Sequence, residues 1–188
     1  MVIATEKKIT PAEYLEQENQ AEEKTELIEG ELFPMAGASA NHNLLNSQLN
    51  ALLVFNINDR FDIYASDMRV WLQAIESYVY PDLVVAPIPS VFAEDNRMEL
   101  TNPCFIAEVL SPSTARYDKK AKFDLYKTLP TLKEYLILPQ TNQKVELYRR
   151  LNSNQWLITE FEIHDSMVML ESFNLEISLP DLYKKVVF

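Results

Sequence analysis

From His42 to Ile57 the apolar residues Leu44, Leu45, Leu49, Leu52, Leu53 and Phe55 recur at near-helical spacing, which predicts an amphipathic helix. ITPAEYLEQENQAE predicts a shorter helix, capped by Thr10 and opened by Pro11, whose missing N–H has no intrahelical partner to lose in a first turn. KTELIEGELFPM reads as extended chain, and Gly30 marks a tight hairpin turn or a bulge between two short strands, with Gly37 opening the loop GASAN. FDIYASDMRVWLQ and YVYPDLVVAP, rich in Val, Tyr, Ile and Trp, are strand-like, and a polar loop around AEDNRMELTNP leads on to CFIAEVL. In that run Phe105, Ala107 and Val109 alternate with Cys104, Ile106 and Leu110, so both faces of the strand are expected to be covered.

SPST then breaks the pairing: Pro112 removes a donor, and Ser111, Ser113 and Thr114 offer side-chain bonds to the freed backbone. A second helix should follow to about Leu129, with Ala121, Leu125 and Leu129 as its core face. TLKEYLILP, QKVELYRR, QWLITEFEI and MVMLESFNLEI read as strands separated by polar turns, partly a meander. Helices interleaved with strands and a β-rich continuation predict an α/β (α+β) chain around a mixed sheet. Neither a repeat nor a linker divides it, so one domain is expected over residues 1–188.

Composition narrows the function classes. With 188 residues and 47% hydrophobic content the chain can bury a substantial core. No apolar run approaches the roughly 20 residues that cross a bilayer, and MVIATEKKITP lacks the apolar centre of a secretory signal, so the cytoplasm is the expected location. The single cysteine, Cys104, lies in an apolar strand and reads as an inert packed thiol. A net charge of -11 argues against non-specific coating of nucleic acid, but not against a local basic site. The densest positive segment is Arg116, Lys119, Lys120, Lys122 and Lys127, with Asp118 and Asp124 interspersed; taken alone, it also fits a solvated helix face.

Two carboxylates interrupt covered strands: Glu108 in CFIAEVL and Asp82 in YVYPDLVVA. A buried charge is costly unless it is paired, hydrogen-bonded or bound to a metal. On neighbouring strands Asp82 and Glu108 would share one hard divalent cation such as Mg²⁺, which takes oxygen ligands and keeps waters. Lys122, at the edge of the second helix's core face, is the lysine that reaches back to the strand end, with Asp118 one turn before and Tyr126 one turn after. Asp, Glu and Lys around a divalent ion suit phosphodiester hydrolysis: the ion polarises a phosphoryl oxygen and acidifies water, and the ammonium orients that water or neutralises developing charge. Ser111 and Ser113 read as loop-shaping residues, since no His in a suitable context accompanies them. Asp118 and Tyr126 fit site lining, packing or capping equally well.

This set resembles the PD-(D/E)xK nuclease superfamily, with Pro81-Asp82 as the first signature element and Glu108 opening the second. Leu110 stands two residues after Glu108, where the short signature has a lysine. EVLSPSTARYDKKAKFDLY, with ELIEGELFPMAGASANH and YPDLVV upstream, is similar to the Uma-type family of restriction endonuclease-like proteins, a likeness that covers about Glu26 to Leu138. It implies a restriction endonuclease-like mixed central β-sheet flanked by helices, with β-rich hairpin additions. Lys122 would take the role of the missing lysine, with Glu26 as an outer metal ligand or water-orienting group and His42 as a phosphate or proton-handling group. The implied activity is Mg²⁺-dependent cleavage of DNA, with Mn²⁺ as a substitute ion, by a homodimer presenting two sites to two strands. The alternative is a catalytically silent nuclease fold that binds a partner. A paired-carboxylate glycosidase would leave Lys122 and the basic helix without a task. The chain departs from the family pattern at Leu136 and Pro139 of KEYLILPQ and in TLPTL, which lacks the usual glycine.

Overall fold

The computed structural model describes residues 8–35, 37–110, 118–165 and 167–188. In chain order its elements are α1 (Pro11–Glu18), β1 (Thr25–Ile28), β2 (Glu31–Pro34), α2 (Ala40–Asn56), β3 (Phe61–Ala65), β4 (Arg69–Leu72), β5 (Ser77–Val79), β6 (Leu83–Pro87), β7 (Glu99–Leu100) and β8 (Phe105–Leu110). There follow α3 (Asp118–Tyr126), β9 (Glu134–Pro139), β10 (Val145–Arg150), β11 (Trp156–Phe161), β12 (Met167–Leu170), β13 (Leu175–Ser178) and α4 (Leu179–Tyr183). A six-stranded sheet runs β11-β10-β9-β8-β6-β3, a five-stranded sheet β2-β1-β5-β4-β7, and β12-β13 form a hairpin. Only β8 and β9 pair in parallel within the larger sheet as described, and the other neighbours there are antiparallel.

The expected mixed sheet with flanking helices is therefore present, but two strand-like runs divide between sheets. FDIYASDMRVWLQ gives β3 to the larger sheet and β4 to the smaller, turning where Ser66 and Asp67 have φ of 56° and 60°. YVYPDLVVAP likewise gives β5 and β6 to different sheets, broken at Pro81-Asp82. Proline removes a ladder donor, so Pro81 ends one pairing before the next begins. The polar loop before Cys104 contains β7, and the C-terminal α4 was hidden by the brevity of its apolar pattern. Ser111 to Tyr117, including the SPST turn and Arg116, lie outside the described residues.

The first helix is shorter than expected but is capped as expected. Thr10 accepts from the Glu13 backbone, and Glu13 reaches back to the Thr10 backbone N–H. The hairpin between β1 and β2 turns through Glu29 and Gly30, with φ of 48° and 90°, a tight turn and not a bulge. A side chain on Gly30 would also press on Lys8, whose Cβ lies 2.8 Å from where a Cβ would stand.

Alternation along the strands separates two cores. On one face of the larger sheet Leu83, Val85, Phe105, Ala107 and Val109 pack with Leu45, Leu49 and Leu53 of α2, and with β12, β13 and α4. On the other face Val84, Ile106, Leu110, Tyr135 and Ile137 pack with Tyr126 of α3 and with Val70, Leu72 and Val79 of the smaller sheet. Burying each large aliphatic side chain contributes roughly 1.5–3 kcal/mol, so the α2 leucines anchor the helix whose first turn enters the site. Cys104 is packed as expected: its Sγ lies 3.4 Å from the Val85 carbonyl, and burial pushes its thiol up to about 11.

Candidate active site

Leu83 pairs with Ala107, which sets Asp82, the residue before β6, opposite Glu108. Side chains alternate along strands, so Asp82 shares the face of Val84, and Glu108 shares the face of Ile106 and Leu110. Glu108 thus points between the larger sheet, the smaller sheet and α3, while the Asp82 carboxylate, at the strand end, reaches toward the first turn of α2 and bears on Glu108 through its charge. The Val109 N–H donates to Asp82 Oδ2 at 2.8 Å, so the backbone of the Glu108 strand itself fixes the Asp82 side chain.

Asp82 is held from three more directions. Its carbonyl accepts from Ser66 N at 2.9 Å and from Asn46 Nδ2 at 3.0 Å. His42 Nε2 lies 3.1 Å from Asp82 Oδ1, and because an ionised carboxylate only accepts, Nε2 carries the hydrogen. His42 stands in the first turn of α2, where Ser39 caps the helix by accepting from the His42 N–H at 3.1 Å. Asn46 lies one turn further along the same helix face; the four-residue spacing from His42 was the available sequence signal for it.

Glu108 is only 3% exposed. Lys122 Nζ donates to its Oε1 at 3.0 Å, and the Tyr126 hydroxyl donates to the same oxygen. Lys122 and Tyr126 are one helical turn apart, so α3 presents both to one carboxylate. The expected core face holds in part: Leu129 is buried and the half-buried Leu125 packs against the same core, but the fully buried residue of α3 is Tyr126, which the apolar pattern did not include. Apolar periodicity undercounts a Tyr and a Lys whose polar ends are satisfied by a buried acid. Lys119 turns away to Glu146, Lys127 pairs with Asp124 at 2.5 Å, and Lys120 is exposed. Glu26 lies on β1, where its Oε1 accepts from Tyr80 N at 2.9 Å.

The electrostatics follow from this geometry. Burial, reinforced by the charges of Asp82 and Glu26, pushes the Glu108 carboxyl up to about 8, against the opposing pull of Lys122 and the Tyr126 bond. Burial works against the charged form of Asp82 too, but the His42 contact, the Val109 N–H and the Lys122 charge outweigh it and hold Asp82 below the usual carboxylate range. Desolvation would lower Lys122, yet Glu108, Glu26 and Asp82 together hold its ammonium well above the ordinary value. The site thus concentrates negative charge that one lysine does not fully compensate.

A divalent cation fits that donor set. Carboxylate oxygens suit Mg²⁺, which needs only one or two protein carboxylates beside water and phosphate. Both hydrogen bonds to Glu108 go to Oε1, and among the described residues none goes to Oε2. Among the same residues no three His, Cys, Asp or Glu side chains form a ready-made cage for an ion.

Comparison with known proteins gives a consistent picture. The Uma2 family, described as "Putative restriction endonuclease", matches residues 11–181. The uncharacterized Synechocystis sp. protein sll1609 is 50% identical over 161 residues, covering 85% of this chain and 91% of that protein. A second Synechocystis protein, slr1290, also uncharacterized, is 31% identical over 182 residues, covering 96% and 94%. In fold, the chain is similar to a crystal structure from Anabaena variabilis described as "a putative nuclease belonging to DUF820", with a TM-score of 0.73 at 21% identity, covering 95% of this chain and 99% of that one.

Proposed function

The chain belongs to the Uma2 family of restriction endonuclease-like proteins, and from that premise we propose that it is a Mg²⁺-dependent endonuclease hydrolysing DNA phosphodiester bonds. The observation that carries this reading is the Lys122 ammonium on Glu108 beside Asp82: a lysine from the following helix supplies the charge that Leu110 cannot. Asp82 and Glu108 would hold Mg²⁺, or Mn²⁺ in its place, with Glu26 on the outer side. When bound, the cation supplies Lewis-acid polarisation of the phosphate and acidifies water.

The remaining steps belong to the chain. Lys122 Nζ orients the attacking water and neutralises charge that develops on the phosphate in the transition state. The Tyr126 hydroxyl and Lys122 fix Glu108 through one oxygen, and the other would serve the cation. His42, with its Nε2 hydrogen committed to Asp82, has Nδ1 to accept a proton. The low-dielectric wall formed by Ile106, Leu110 and Tyr126 strengthens each of these interactions.

Calorimetric titration with Mg²⁺ and Mn²⁺ tests the reading: wild type should bind one ion, and Asp82→Ala should lose that binding. Equal binding by the two proteins would remove Asp82 from the site. A cytoplasmic homodimer completes the proposal, with β11 as the joining edge. This outermost strand of the larger sheet leaves Leu157 and Ile158 exposed, and an open strand edge is a template for pairing. A second reading, a nuclease fold retained for partner binding, draws on the net charge of -11, which repels DNA.

A further inference from the structure

Building on the nuclease reading, we propose that Phe33 is a substrate-contact residue that stacks on an unpaired nucleobase of the DNA, so that the enzyme acts where bases are unstacked and not within intact duplex. In the β1–β2 hairpin Glu26 pairs directly with Phe33, and directly opposed residues of antiparallel strands share a face, their Cβ atoms about 5 Å apart. Leu27, one residue along, points the other way into a cluster with Tyr14 and Tyr78. Glu26 therefore marks the hairpin face that looks toward the site: its side chain reaches Tyr80 N, two residues before Asp82, and its charge bears on Glu108 and Lys122. Phe33 stands beside it on the outermost strand of the smaller sheet, 43% exposed.

The ladder continues one step through the Met35 N–H to the Lys24 carbonyl, at 3.1 Å. Two-residue alternation then puts Met35, 41% exposed, next to Phe33, and Lys24 next to Glu26, on that same face. The Lys24 ammonium lies 5.4 Å over the Tyr80 ring, next to the site strand. An aromatic ring and a thioether, bordered by the Lys24–Asp67 ion pair at 2.5 Å and directly across the ladder from Glu26, form a surface suited to a base whose phosphate sits at Glu108 and Lys122.

Two physical considerations select a nucleobase as the occupant. In a chain of charge -11 the average field opposes attraction of phosphate, whereas stacking on an aromatic ring is independent of net charge. A base inside a duplex has both faces covered, so only a single-stranded or extruded base offers a face to Phe33. The surface is also continuous with the carboxylate site through the Glu26–Phe33 pair.

Fluorescence anisotropy in Mg²⁺ with labelled single-stranded oligonucleotide, the same strand made abasic, and the matched duplex separates the possibilities. Wild type should bind the base-bearing strand more tightly than the other two probes. Phe33→Ala should weaken that binding by about five- to a hundred-fold while leaving the abasic strand unchanged. Phe33→Trp should restore the affinity, with indole fluorescence quenched by the base-bearing strand only. Equal affinity of Phe33→Ala and wild type for the base-bearing strand overturns the proposal while leaving the nuclease reading in place. A change in sedimentation of Phe33→Ala would assign this face to a second copy and overturn it as well. Wild type that binds none of the probes defeats the nuclease reading itself, and the proposal with it.

Discussion

Glu108 is where the cost of the site is concentrated. Its carboxyl is raised from 4.5 to about 8, so between those values the folded chain holds a proton that the unfolded chain releases. A group with a raised folded pKa loses its stabilising contribution as pH rises, so the metal-free protein should lose stability between about 4.5 and about 8, by at most a few kcal/mol. Asp82 acts with the opposite sign: its depressed carboxyl stabilises above its ordinary value of 3.8 and loses that contribution as the pH falls through the lowered value. Urea unfolding at pH 5 and pH 8 checks this. Wild type should weaken at the higher pH, and Glu108→Gln should flatten the difference while losing Mg²⁺ binding, because an amide keeps the shape without the charge. At this scale the sequence was informative wherever an acid broke an apolar strand, as at Asp82 and Glu108. It was silent on Tyr80 and the Val109 N–H, because a tyrosine at a strand end and a backbone donor carry no distinguishing pattern. Their roles depend on which strands become neighbours.

Among the elements, α2 and α3 bring the most chemistry to the sheet. The leucine spacing of α2 was legible because its core face is purely aliphatic, and Leu45, Leu49 and Leu53 are the residues it buries. Leu49→Ala should cost about 2–5 kcal/mol in urea unfolding, the usual range for a large core residue cut to alanine. Ser39→Ala should cost about 1 kcal/mol and loosen the first turn that aims His42 at Asp82, seen as a shift of the His42 ring signals by NMR. By contrast, the orientation of α3 was legible only in part: Leu125 and Leu129 pack on the core, but the deepest position is Tyr126, beside a lysine held by an acid. The strand runs around Ser66 and Pro81 were legible as strands but not as members of different sheets: local pattern gives element type, while sheet membership is decided by tertiary pairing.

For the whole molecule, the balance is between a net charge of -11 and one strongly held lysine at the carboxylate site. Long-range attraction of DNA is therefore weak and salt-sensitive, and the exposed Lys120 contributes to that part alone: Lys120→Ala should raise KM in a salt-dependent way with little change in kcat. In the proposed mechanism Lys122 acts at the phosphate. The most direct measurement is Mg²⁺-dependent cleavage of negatively supercoiled and branched DNA, both of which offer unpaired bases, by wild type and Lys122→Ala, with Mg²⁺ binding followed in parallel. Wild type should cut, and Lys122→Ala should bind the ion yet lose cleavage by about two to three orders of magnitude, the scale of removing one transition-state charge partner. Equal cleavage by the two proteins, or none by wild type in either ion, would contradict the account.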